Sequence, residues 1–242
     1  YWQRAAKAIW PICDVSDHGS SWKRLFFEKT VADFLESFDP AKTEMAELAR
    51  ILSLAKDYIF SLRLRHFPAH VDVELLFQKI PMLANLEMTY GVKNVGLEYT
   101  RELFGMPPAD AVSLSRALRV TETLTILALP CNVLDDTTTR LLADGLHDNS
   151  TVTSLDLSHN RISDRGVKAI AKALGDGSVV SHLNLSDNLI HADGGRHLGR
   201  ALTTNTSLEV LNLRLNRLCD NGGIRLLEGL LKNQTLANLN LA

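Results

Sequence analysis

The sequence predicts an α/β solenoid of stacked strand–helix units, and three observations predict it. First, a nine-residue pattern recurs at equal spacing: LTILALPCN from Leu124, VTSLDLSHN from Val152, VSHLNLSDN from Val180, LEVLNLRLN from Leu208 and the shorter LANLNLA from Leu236, each start 28 residues after the last. A fixed period of this length is the signature of a stacked array. Second, the stretch between patterns carries its own apolar columns, Leu142/Leu146, Ile170/Leu174, Leu198/Leu202 and Leu226/Leu230, each pair four residues apart, as on one face of a helix. Third, residues 22–58 differ from the repeats and supply two amphipathic helical patterns. An open stack needs such a cover over its first apolar edge.

Taken in chain order, residues 1–21 form an N-terminal arm, in which Trp2 and Trp10 argue against pure disorder and suggest an extended segment packed on a partner. Residues 22–58 form the helical cap. SWKRLFFEKTVADFLESF places Trp22, Phe26, Val31, Phe34, Leu35 and Phe38 at helical spacing and stops at Asp39-Pro40. TEMAELARILSLA follows with Met45, Leu48, Ile51, Leu52 and Ala55 as its stripe. Residues 59–242 are repeats. Those over 59–123 are degenerate, with strands expected at IFSLRLRHF from Ile59 and LANLEMTYG from Leu83. Leu83 to Leu124 spans 41 residues, 13 more than the period, so an insertion is expected over about 92–107. Regular repeats run from 124, and the final one stops partway, which suggests that the chain continues beyond this point.

Within each repeat, LxxLxLxxN alternates with period two, so its leucines face one side of a short strand. Strands of successive repeats should pair in parallel, lining a concave face, with the helices outside. Asn132, Asn160, Asn188 and Asn216 turn the chain out of the strand, and stacking should align their amides into a ladder. The small residues Gly145, Ala173, Ala201 and Gly229 allow close helix packing. This is a leucine-rich-repeat solenoid, a horseshoe arc whose 28-residue unit resembles the ribonuclease-inhibitor type.

Composition supports a core and excludes several function classes. Hydrophobic residues make up 45%, and the net charge of −2 comes from interspersed acids and bases, so no run of basic residues suggests nucleic acid or anionic lipid as a partner. Cys13, Cys131 and Cys219 are odd in number and far apart, which fits neither a disulfide framework nor a zinc site. No signal peptide is read, and no apolar run reaches the ~20 residues of a transmembrane helix. Gly91 to Gly96 lacks the Lys and hydroxyl of a phosphate loop, and there is no GxSxG and no HExxH. His159, His182, His191 and His197 show no shared position, and Asp135, Asp136 and Asp164 read as helix caps. No catalytic, cofactor-binding or metal-binding residue is assigned, and no small-molecule substrate is expected. The remaining candidate role is protein binding. Asp156, Asn184, Asn212 and Arg214 lie on the concave side of the strands, and Trp2, Trp10, Tyr90, Tyr99 and Phe104 are aromatic anchors concentrated in the arm and around the insertion.

Segments outside the grid narrow the family. SWKRLFFEKTVADFLESF, YGVKNVGLEYTRELF and NLRLNRLCDNGG resemble the t-complex-associated testis-expressed protein 1 family, subunit five of the nexin–dynein regulatory complex, over about Trp22 to Ala242. That resemblance implies a structural scaffold in the cytoskeleton of motile cilia and flagella. Its partners would be other subunits of the complex and axonemal proteins, linking doublet microtubules and restraining dynein-driven sliding. The alternative is a regulatory leucine-rich-repeat protein of the Ran GTPase-activating or ribonuclease-inhibitor-like kind. The first needs a catalytic residue on the rim, where Arg161, Arg165 and Arg217 are ordinary turn arginines; the second needs an acidic, Trp-bearing concave face.

Overall fold

The computed structural model describes residues 1–39, 42, 44–69, 71–93, 103–175 and 177–242, and among these, seven parallel strands form one sheet in chain order. They are β1 (Ser61–Phe67), β2 (Asn85–Tyr90), β3 (Ile126–Ala128), β4 (Ser154–Asp156), β5 (His182–Asn184), β6 (Val210–Asn212) and β7 (Asn238–Asn240). A helix follows each of the first six: α4 (Val73–Lys79), α5 (Pro108–Val120), α6 (Asp136–His147), α7 (Asp164–Ala173), α8 (Ala192–Leu202) and α9 (Cys219–Leu230). The 28-residue grid is the register itself. Leu86, Leu127, Leu155, Leu183, Leu211 and Leu239 stand opposite one another across the sheet.

The inward columns are dry through β6. Leu127, Leu155, Leu183 and Leu211, and two positions later Leu129, Leu157, Leu185 and Leu213, are buried. Each contributes on the order of 2 kcal/mol by burial. Towards β7 the packing thins: Leu239 is half-buried and Leu241 is 43% exposed. Ser158 and Ser186, which strict alternation from Asp156 and Asn184 would point outward, are buried because the chain has already left the strand plane there.

The asparagine ladder is present, with each amide bonded to backbone rather than to the next amide. Asn160 Oδ1 accepts from Asn132 N at 2.9 Å and Leu134 N at 3.0 Å, while its Nδ2 donates to the Leu129, Leu157 and Ser158 carbonyls. A second ladder runs through Asn149, Asn205 and Asn233. Asn149 Nδ2 donates to Leu118 O and its Oδ1 accepts from Thr151 N and Val152 N. Asn205 repeats this on Leu174 O, Ser207 N and Leu208 N. Each ties a helix end of one repeat to the following strand entry.

The N-terminal segment is α1 (Trp2–Ile9), a 3₁₀ turn at Ser16–His18, α2 (Trp22–Glu36) and α3 (Met45–Ala55). Trp2–Ile9 is helical rather than extended, and it packs on α2 through Ala6, which is fully buried, and through Trp2 against Phe26 and Phe27. Ser21 caps α2, accepting from Arg24 N. α2 covers the free edge of β1 with two carboxylates. Glu28 Oε1 accepts from Phe60 N at 2.8 Å and Ser61 N at 2.9 Å, and Glu36 Oε1 accepts from Arg65 N at 2.6 Å and His66 N at 3.3 Å. Eight residues of helix advance about 12 Å, and the five strand residues between the two amide pairs advance about 16 Å. The side chains span the difference. An unpaired strand edge is thereby closed without another strand.

Candidate protein-binding surfaces

The concave strand surface is largely committed to its own turns. Asp156 Oδ1 accepts from Ser158 N at 2.8 Å, Asn184 Oδ1 from Ser186 N at 3.1 Å, and Asn212 Oδ1 from Arg214 N at 3.1 Å. Asn184 Nδ2 also donates to Asp156 Oδ2 at 3.1 Å. These side chains fasten each strand exit in an Asx turn. Their recurrence at 28 residues signals that structural task as readily as a binding one. Arg214 is exposed beside them.

The aromatic candidates separate into three groups. Tyr90 is 2% exposed, so the reading of it as a surface anchor is corrected: it ends β2 pointing inward and meets Phe67 edge-on, with centroids 5.3 Å apart. Burial first, then Asp110, pushes its phenol far above the ordinary range and keeps it neutral. Alternation along β2 already places position 90 on the same side as Leu86 and Met88, a signal that outweighs its aromatic character. Tyr99 lies outside the described residues. Phe104 is half-buried, with its ring against Gly91.

Trp2 and Trp10 are half-buried on the outer side of α2. Trp10 Nε1 donates to Asp33 at 2.9 Å, and Lys23 and Lys29 stand over the Trp2 and Trp10 rings at 5.7 and 5.4 Å. Around them Tyr1, Ile9 and Ile12 are 91%, 57% and 97% exposed, which makes this end a hydrophobic outer surface. Beneath it, Glu28 is 2% exposed and gathers His18 and Arg24 as well as the β1 amides. Burial alone would raise the Glu28 carboxyl, but those donors outweigh it and hold the carboxyl below its usual range.

The titratable residues expected to cap helices divide. Asp135 caps its own helix in a capping box with Thr138. Asp136 and Asp164 reach instead into the next repeat. Asp136 Oδ1 accepts from Ser163 N and Gly166 N, and Asp164 Oδ1 from His191 N and Gly194 N. A Cβ on Gly166 would stand 2.8 Å from Asp136 Oδ1, and one on Gly194 2.7 Å from Asp164 Oδ1, so these positions exclude side chains.

His159 and Asp187 do share a column, 28 residues apart, and His159 Nδ1 meets Asp187 Oδ2 at 2.8 Å. Cys131 occupies the same column one repeat earlier. Burial, then Asp187 and Asp156, push its thiol up, the opposite of an activated nucleophile. Among the described residues no group of three or more His, Cys, Asp or Glu side chains is arranged to hold a metal ion. Nor is any helix there long and apolar enough to cross a membrane.

The repeats match a known family model. The Leucine Rich repeat family model matches residues 148–171 and 204–227. Dynein regulatory complex subunit 5 of Chlamydomonas reinhardtii is 44% identical over 142 residues, covering 58% of this chain and 36% of that protein. The Homo sapiens protein of the same name is 33% identical over 177 residues, covering 62% of this chain and 35% of that protein. The match thus spans about a third of the length of these relatives. A solved structure of Leiomodin-1 Actin-Binding Site 2 overlays 55% of this chain and 78% of that one, with a TM-score of 0.49 and 22% identity. The chain thus carries leucine-rich repeats and is similar in sequence, over about three-fifths of its length, to dynein regulatory complex subunit 5.

Proposed function

We propose that the protein is a non-catalytic scaffold subunit of the nexin–dynein regulatory complex in motile cilia and flagella. There it binds neighbouring subunits of a link between doublet microtubules and restrains dynein-driven sliding. The observation that carries this reading is the 44% identity over 142 residues with the Chlamydomonas subunit. The fold supports it: the recurring polar side chains at the strand exits are spent on hydrogen bonds within the stack, and the thiol in the histidine–aspartate column is pushed towards its neutral form. The Ran-type and ribonuclease-inhibitor-like alternatives are not favoured, because the named relatives are all subunits of this one complex.

Docking is assigned to the outer aromatic face built on Trp2 and Trp10 and to the insertion that carries Tyr99 and Phe104, with the concave residues Asp156, Asn184, Asn212 and Arg214 secondary. Several separated contacts of modest strength suit a subunit fixed in a large assembly, because effective concentration combines them. The test is to express the tagged full-length protein in a motile-ciliated cell and purify it from detergent-extracted axonemes, with and without residues 92–105. Co-purification of regulatory-complex subunits, reduced by the deletion in a protein that still folds, is the expected result. Absence of the tagged protein from axonemes would overturn the assignment. Capture unchanged by the deletion but lost on substituting Arg214 and Asp156 would move the site to the concave face.

A further inference from the structure

The bases and acids that alternate along the chain are sorted by the 28-residue period. Arg140, Lys168 and Arg196 fall in one helix column, and Lys172 and Arg200 in the next, one turn further along. Stacking α6, α7 and α8 therefore lines them up on the convex side, where Arg165 joins them. Together with Arg119 at the α5 end, six Arg or Lys side chains against two Asp, Asp144 and Asp148, line a groove of about 750 Å³. Arg119 already faces Asp148 at 3.6 Å. Among the described residues Arg140, Arg165, Lys168, Lys172 and Arg200 have no carboxylate partner, although all five side chains are exposed. Several exposed helix cations elsewhere do have local partners, as Arg50 has Glu47 and Arg225 has Glu228.

The same cations act on a histidine in the groove. His197 lines it, and its imidazole is held below the ordinary range by burial and then by Arg196, Lys168 and Arg200. The floor is apolar and smooth, made by Ala143, Ala169, Ala173 and Ala201. Four helices, α5 to α8, cross the groove at separations of about 8–10 Å. Its length is therefore roughly that of an 18-residue helix at ~1.5 Å per residue.

We infer that this convex groove is a docking site for an acidic amphipathic helix of a partner protein. Its aliphatic stripe lies on the alanine floor, and its carboxylates meet the two columns of cations. Charge complementarity selects the partner's sign, and the floor selects its class. A nucleic-acid backbone presents phosphates but no apolar stripe to fill an alanine trough. An anionic membrane surface is met by inserted Trp, Phe or Leu side chains, and the apolar part of this floor is alanine. The inference stands on the groove itself and does not depend on the ciliary assignment.

The test uses the full chain and a fluorescein-labelled 18-residue peptide with Leu at i, i+3, i+4 and i+7 spacing and Glu elsewhere. Its counterpart carries Gln for Glu. Fluorescence anisotropy at low ionic strength should show the Glu peptide binding at least about tenfold more tightly than the Gln peptide, and weakening as salt shortens the screening length. The triple variant Lys168→Glu/Lys172→Glu/Arg200→Glu should lose at least about tenfold in affinity with an unchanged circular dichroism spectrum. Ala169→Leu, which fills the floor and keeps every charge, should weaken binding independently of charge. Equal binding by both peptides, or indifference to all of these substitutions, would overturn the proposal. So would tighter binding, per unit charge, to a single-stranded oligonucleotide or to phosphatidylserine vesicles.

Discussion

Replacing Glu28 by Ala tests how the first strand is closed. In the native protein this carboxylate receives four donors: His18, Arg24 Nη2 at 3.3 Å, Phe60 N and Ser61 N. Hydrogen bonds to a charged group contribute about 1.5–3 kcal/mol each. They share one acceptor and do not add, so the loss should resemble that of one partner of a buried ion pair, about 3–5 kcal/mol. With a urea slope near 2 kcal/mol/M the unfolding midpoint should fall by roughly 1.5–2.5 M. Glu28→Gln retains an acceptor for the strand amides but loses the charge, and should fall between the two. Hydrogen exchange supplies a local readout, because the Phe60 and Ser61 amides lose their acceptor and their protection. Acid has the same target: the carboxyl is held below its ordinary range, as is that of Glu36, which burial would raise but Lys93 and the Arg65 and His66 amides lower. Their stabilisation is present above the unfolded carboxyl pKa, about 4.3, and is lost as pH falls through the lower folded values. The reasoning would be refuted if Glu28→Ala shifted the midpoint by less than about 0.5 M and left Phe60 and Ser61 protected.

Three further outcomes follow from the repeat geometry. Leu185→Asp buries an unpaired charge in a dry column and should unfold its neighbouring repeats, whereas Asn184→Ser should cost about 1 kcal/mol by thermal melting; equal melting temperatures would contradict the register. Asn184→Asp, by contrast, would replace the amide 3.1 Å from Asp156 with a second carboxylate and should cost more than Asn184→Ser. Asp164→Ala removes the acceptor for His191 N and Gly194 N, and should cost about 1–2 kcal/mol in chemical denaturation, as lost helix caps do. Leu215, 58% exposed, holds φ +58 in the column shared by Cys131, His159 and Asp187; Leu215→Gly relieves that strain and should raise stability by roughly 1 kcal/mol in the same assay.

The fold was legible because the repeat states the same instruction many times. Leu127, Leu155, Leu183 and Leu211 recur at one spacing, and recurrence fixes register, face and strand order together. The degenerate units from Ile59 and Leu83 were legible in the same way, since β1 and β2 keep the alternation. Functions that cross repeats were harder to see. Asp136 and Asp164 read as caps for their own helices, but the small Gly166 and Gly194 open the next helix to them. Glu28 and Glu36 sit among aromatic residues in a helix whose partner strand lies some thirty residues away, so nothing local announces their task. The columns of cations were hidden by reading charge along the chain rather than down the stack. Tyr90 was misread because residue type was weighed above strand alternation, and Trp2 to Ile9 because eight residues carry too short a pattern to declare a helix.

The role proposed for this solenoid is that of a fixed structural part of an inter-doublet link. Cryo-electron tomography of axonemes tests it most directly, comparing cells that make the protein with cells that lack it and with cells rescued by the tagged full-length form. The account predicts a discrete density missing from the nexin–dynein link in the deficient cells and restored with the tag in the rescued ones. Intact links in the deficient axonemes, with the tagged protein found elsewhere in the cell, would contradict it.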